Sequence, residues 1–82
     1  MAYAGYADLS HANLTGADLS SAVFEGANLS NATMANANLT NLALPGAKLL
    51  GAILTGATMT NTYFAGTTCP NGTVTGTGFN LC

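Results

Sequence analysis

Large apolar residues return at every fifth position of this chain. They are Leu9, Leu14, Leu19, Phe24, Leu29, Met34, Leu39, Leu44, Leu49, Leu54, Met59 and Phe64. Two residues before each of these centres runs a second series: Ala7, Ala12, Ala17, Ala22, Ala27, Ala32, Ala37, Leu42, Ala47, Ala52, Ala57 and Thr62. Ten of its twelve members are Ala. The remaining positions are mostly polar or Gly, so the stretch from Ala7 to Ser20 repeats Ala-Asp/Asn-Leu-Ser/Thr-x almost three times without a gap.

A period of five suits neither regular element. On an α-helix, five residues advance about 500°, and the centres would spread around the whole circumference. On a flat strand, an odd period sends successive centres to opposite faces. A chain that keeps them all on one side must bend by a similar amount in every repeat. The residues for such bends stand two places after ten of the twelve centres: Gly16, Gly26, Gly46, Gly51, Gly56 and Gly66, with Asn31, Asn36, Asn41 and Asn61. Gly and Asn tolerate the positive φ required at the third position of a type II turn. Pro45-Gly46 has Pro at the second turn position and Gly at the third.

The unit A-(D/N)-L-(S/T)-(G/N), carried from Ala7 to Gly66, resembles the motif of the pentapeptide-repeat family. The resemblance implies an all-β fold, a right-handed quadrilateral β-helix in which four repeats make one square coil and the centre and Ala side chains point inward. About three coils are then expected. Residues twenty apart would stack as Leu9-Leu29-Leu49, Leu14-Met34-Leu54, Leu19-Leu39-Met59 and Phe24-Leu44-Phe64 at the strand spacing of about 4.8 Å. Leu42 would push its corner outward or fill space beside Leu44, and Thr62 would hydrogen-bond to backbone.

The expected domain organisation is a β-helix over residues 1–66, with 1–6 as its N-terminal edge, and a non-repeating C-terminal capping tail over residues 67–82. Val74, Phe79 or Leu81 would cover the last coil, and Tyr3 and Tyr6 would form a thin cap at the other end. A fold of 82 residues is near the size at which a single core needs extra support. Cys69 and Cys82 offer it: a disulfide between them would close the tail and add roughly 3 kcal/mol by loop entropy. Oxidation would imply an extracytoplasmic setting (periplasm, thylakoid lumen or secretion), and reduced thiols a cytoplasmic one.

Charge narrows the function. The net charge is −2, from Asp8, Asp18 and Glu25 against Lys48, which leaves neither a basic footprint for nucleic acid nor a strong acidic field. The apolar run from Leu42 to Leu54 is interrupted by Pro45, Gly46, Lys48 and Gly51 and is too short for a membrane span. No basic-then-apolar leader is visible at the N-terminus. His11 stands alone at a turn, and Asp8 and Asp18 would lie on opposite faces of a four-sided coil, so no catalytic pair is expected. No cofactor or metal is expected either, since Cys69, Cys82 and His11 are too few ligands at no recognised spacing.

The expected function is therefore a non-catalytic structural or binding module with flat faces for an unidentified protein or surface partner, monomeric or weakly associating by its ends or faces. Two surfaces stand out: a hydroxyl ladder of Ser20, Thr40 and Thr60, suited to ice or polysaccharide, and an apolar face with Val23, Ala43, Pro45 and Tyr63. The resemblance offers one further alternative, because some family members mimic DNA and act on type II topoisomerases. Those are long and acidic, and this chain is neither.

Overall fold

The computed structural model describes residues 5–72. Its chain winds so that residues twenty apart pair in parallel. Asp8, Asn28, Lys48 and Thr68 form one bridged column, Asn13, Thr33 and Ile53 the second, Asp18, Asn38 and Thr58 the third, and Val23, Ala43 and Tyr63 the fourth. These four columns define the faces of the coil. Each pairing is an isolated bridge with no extended strand around it, because a corner intervenes every five residues.

The backbone hydrogen bonds explain why the repeat is five residues long and why its types recur. In the pentad 28–32, Asn28 N–H donates to Ala7 O (2.9 Å), Leu29 N–H to Lys48 O (2.7 Å) and Asn31 N–H to Leu50 O (2.8 Å). Those three bonds join neighbouring levels of the coil. Ala32 N–H donates to Leu29 O (3.0 Å) and closes the turn, while Ser30 N–H donates to Asn28 Oδ1 (3.1 Å). All five donors are satisfied, which a buried backbone demands. The Asp/Asn of the motif thus supplies the one acceptor that the coil's main chain does not, in the manner of an Asx turn.

The Ser/Thr after the centre adds a second bond to the same oxygen. Ser10 Oγ donates to Asp8 Oδ1 (2.6 Å), Thr15 Oγ1 to Asn13 Oδ1 (2.7 Å) and Thr40 Oγ1 to Asn38 Oδ1 (2.6 Å). The corner residue that follows is left-handed at every fifth position from Tyr6 to Gly66, with φ between 55° and 74°. Glycine and asparagine fill most corners as the sequence suggests, but Tyr6, His11 and Ser21 adopt the same conformation.

The core lies along the axis. Phe24, Leu29, Met34, Leu39, Leu44, Leu49 and Phe64 are buried, whereas Leu9, Leu14 and Leu19 at one end and Leu54 and Met59 at the other are only partly buried against them. Leu42 turns inward, fully enclosed, into the cluster that contains Leu44. Its corner keeps the ordinary turn bond, Leu42 N–H to Leu39 O at 3.0 Å, and is not pushed out. Thr62 is equally buried and its Oγ1 donates to Leu39 O (2.8 Å).

Two expectations require correction. The coil does not stop at Gly66: Thr68 bridges Lys48, Cys69 is buried in the next centre position, and Gly51 N–H donates to Pro70 O (2.9 Å). Thr67, in the narrow slot otherwise held by Ala, is buried and its Oγ1 donates to Leu44 O (2.5 Å). A Thr there satisfies its hydroxyl internally, as Thr62 does one pentad earlier. Tyr6 does not cap the N-terminal end. It occupies a corner, 74% exposed, with its ring lying over Gly26. Tyr3, Val74, Phe79, Leu81 and the pairing of Cys69 with Cys82 fall outside the described residues.

Candidate functional site

Two faces stand out chemically. On the third face, Asp18, Asn38 and Thr58 form the bridged column, with Ser20, Thr40 and Thr60 beside it. Ser20 Oγ donates to Asp18 Oδ1 (2.6 Å) and Thr40 Oγ1 to Asn38 Oδ1 (2.6 Å). Those hydroxyl protons are therefore committed within their own pentads. The ladder that the sequence suggests is present as an array, and its first two members serve the turn chemistry described above.

The fourth face differs. Val23, Ala43 and Tyr63 make its bridged column, and Glu25, Pro45 and Ala65 run alongside; Glu25 is exposed and the other five are half-buried. No Asp or Asn occupies the column, so no Asx oxygen faces solvent here. A second apolar spot was not anticipated from the sequence. Leu50 is 53% exposed and Ile53 49% exposed, at positions where the preceding level has Ser30 and Thr33. The signal was present, since comparison by twenty shows Ser10-Ser30-Leu50 and Asn13-Thr33-Ile53 turning apolar together.

The polar candidates do not converge. Asp8 and Asp18 stand on the first and third columns, and His11 is an exposed corner residue. The Asp8 carboxyl lies below its ordinary pKa because the Ser10 hydroxyl, and then the Ser10 N–H, donate to it; slight desolvation opposes this and His11 adds a small attraction. Asp18 is lowered in the same way by Ser20. Among the described residues no cavity opens, no group of three or more His, Cys, Asp or Glu side chains could hold a metal, and no helix is long and apolar enough to cross a membrane.

A carboxylate whose folded pKa is depressed stabilises the fold above its unfolded pKa, and that contribution is lost as pH falls through the folded value. Acid titration should therefore weaken the coil below about pH 4, the ordinary range for Asp. The Asp8→Asn/Asp18→Asn protein should keep its neutral-pH stability, since Asn13 and Asn38 make the same Asx bonds. It should also lose less stability than the parent between pH about 4 and 2. Thermal melts across that range test this, and parallel acid curves for the two proteins would refute it.

Four bridged faces, a corner every five residues and a core along the axis define a repeat-built β-solenoid. The family model described as pentapeptide repeats matches residues 6–41 and 34–68, with eight copies. The chain belongs to the pentapeptide-repeat family.

Among solved structures it is similar to HetL, a pentapeptide repeat protein involved in heterocyst differentiation regulation from the cyanobacterium Nostoc sp. strain PCC 7120. The TM-score is 0.70 at 28% identity, covering 89% of this chain and 43% of HetL. It is also similar to AT2G44920, a pentapeptide repeat protein from the Arabidopsis thaliana thylakoid lumen. There the TM-score is 0.59 at 22% identity, covering 79% of this chain and 59% of that one, a likeness of fold alone. The chain thus spans less than two thirds of either structure. No curated protein matches it in sequence. The two neighbours imply a right-handed quadrilateral β-helix.

Proposed function

We propose that the chain is a non-catalytic β-helix module, a coil of about three turns with a C-terminal cap, that binds a protein partner through its fourth face. The observation that carries this reading is the column Val23-Ala43-Tyr63 flanked by Pro45 and Ala65. An apolar surface on a rigid, flat scaffold gains by being covered, and here no Asx oxygen must be desolvated first. HetL's involvement in differentiation regulation is compatible with a module that acts by contact.

The other readings have less support. Ser20 and Thr40 already spend their hydroxyl protons on Asp18 and Asn38, which weakens the case for an ice or polysaccharide surface. Asp8 and Asp18 lie on separate columns and make no acidic stripe, which weakens the case for a nucleic-acid mimic. Isolated acidic residues and an exposed His11 support the non-enzymatic reading. The Cys69–Cys82 bond, with the extracytoplasmic location it entails, belongs to the same proposal; two free thiols in protein isolated from its natural source would remove both.

The test is capture from an extract of the natural source with three immobilised proteins. A partner held by the parent and by Thr40→Lys, but held at least tenfold more weakly by Ala43→Glu, supports the fourth face. Loss in Thr40→Lys with retention in Ala43→Glu would transfer the site to the hydroxyl face and overturn the proposal.

A further inference from the structure

The first face is the only one whose bridged column carries charge of both signs. Along the coil axis its members are Asp8, Asn28 and Lys48, with Thr68 beyond. The other columns, Asn13-Thr33-Ile53, Asp18-Asn38-Thr58 and Val23-Ala43-Tyr63, hold no cation. Lys48 is the chain's only Lys or Arg. It is exposed, as Asp8 is, and it forms no ion pair among the described residues.

A column that runs negative, neutral, positive is complementary to itself when turned end for end. A two-fold axis perpendicular to the coil axis and passing over Asn28 sets Asp8 of each copy against Lys48 of the other, so every contact is made twice. Sheets packed face to face lie about 10 Å apart, a gap that a Lys side chain reaching toward an Asp spans. Asn28 Oδ1 is already occupied by Ser30 N–H at 3.1 Å, which leaves its NH2 group to donate across the axis. The same rotation lays Ser10 over Leu50, which is 53% exposed in the single chain. In neither neighbouring register does Asp8 meet Lys48, so charge selects this one.

We propose that the first face is a self-association surface, on which a second copy of this chain docks antiparallel through Asp8, Asn28 and Lys48. The inference rests on the coil alone and is independent of the fourth-face reading. With extents of 27 × 22 × 22 Å, one face falls short of the roughly 800 Å² per partner of a standard interface. The pair is therefore transient: it forms at high protein concentration and weakens with salt.

Sedimentation over a concentration series, with amide chemical shifts to map the surface, tests this. In the parent, the amides of Asp8, Ser10, Asn28, Ser30, Lys48 and Leu50 should shift together as concentration rises. Asp8→Asn keeps the Asx bond, as Asn13 does, and should weaken association roughly threefold or more, because the lost pair counts twice. Asp8→Lys and Lys48→Asp should each be monomeric, since like charges then face each other. Their equimolar mixture should associate again, one copy bringing two cations and the other two carboxylates. Lys48 itself shows that Lys is accepted in this slot, and thermal melts check that each variant is folded. A parent that stays monomeric at millimolar concentration overturns the proposal. So does a mixture that fails to associate, association that both charge reversals leave intact, or concentration-dependent shifts confined to another face.

Discussion

Leu44→Ala is expected to destabilise the coil by about 3–5 kcal/mol, the usual cost of an unrelaxed cavity at a fully enclosed Leu. For a domain of this size that lowers the thermal midpoint by roughly 12 °C or more. Leu44 is fully buried, between Phe24 and Phe64 in its column, and both are held by backbone bonds that cannot shorten to fill a void. The Leu44 carbonyl keeps its bonds from Ala47 N–H (3.0 Å) and Thr67 Oγ1, so the loss is one of packing alone. Leu9→Ala, at the partly exposed N-terminal end, should cost only about 1–2 kcal/mol. Equal losses at the two sites, in matched denaturant titrations, would show that axial burial is not what holds the molecule together.

Gly51→Ala is the second large effect, and it separates two causes that the sequence merges. Gly51 and Gly46 are both left-handed, with φ of 74° and 68°. A methyl group at Gly46 meets nothing within 4 Å, whereas at Gly51 it runs into the side-chain oxygen of Asn31 from the level before. Gly46→Ala should thus cost only the backbone term of about 1–2 kcal/mol. Gly51→Ala should cost roughly 2–4 kcal/mol, because strain and contact are combined. Removing the overlying side chain in Asn31→Gly/Gly51→Ala should recover the difference, a coupling that a double-mutant cycle isolates. Identical losses at Gly46 and Gly51 would mean that the Asn31 side chain simply swings aside.

Most of the frame could be read from the sequence because each slot of the pentad does one physical job. The centres and the Ala series follow from the width of the interior, and the Gly and Asn corners from positive φ. Three features escaped. The coil was expected to end at Gly66 because the residues after it break the period and carry turn signals at Pro70-Asn71-Gly72, yet Thr68 still pairs with Lys48 and the Thr67 hydroxyl reaches the Leu44 carbonyl, which composition does not reveal. Tyr6 was expected over the N-terminal end, but position in the count, not size, sends it to a corner above Gly26. The exposed pair Leu50 and Ile53 went unnoticed because the two are read along the chain as part of an apolar run, and only comparison by twenty shows that they face outward. The candidate faces were legible as columns. That Ser20 and Thr40 have their hydroxyl protons engaged was not, since it depends on side-chain geometry.

Pairing at a separation of twenty also governs how such a molecule tolerates change in length. Adding or deleting one residue would displace every later side chain from its slot, whereas adding or deleting five leaves each slot intact and rotates the rest of the chain by one face. The same core could therefore carry a permuted exterior: without the pentad 31–35, for example, the column begun by Val23 would be continued by Lys48 instead of Ala43. Length change in units of five is thus a route by which one sequence pattern can present new surfaces without a new fold.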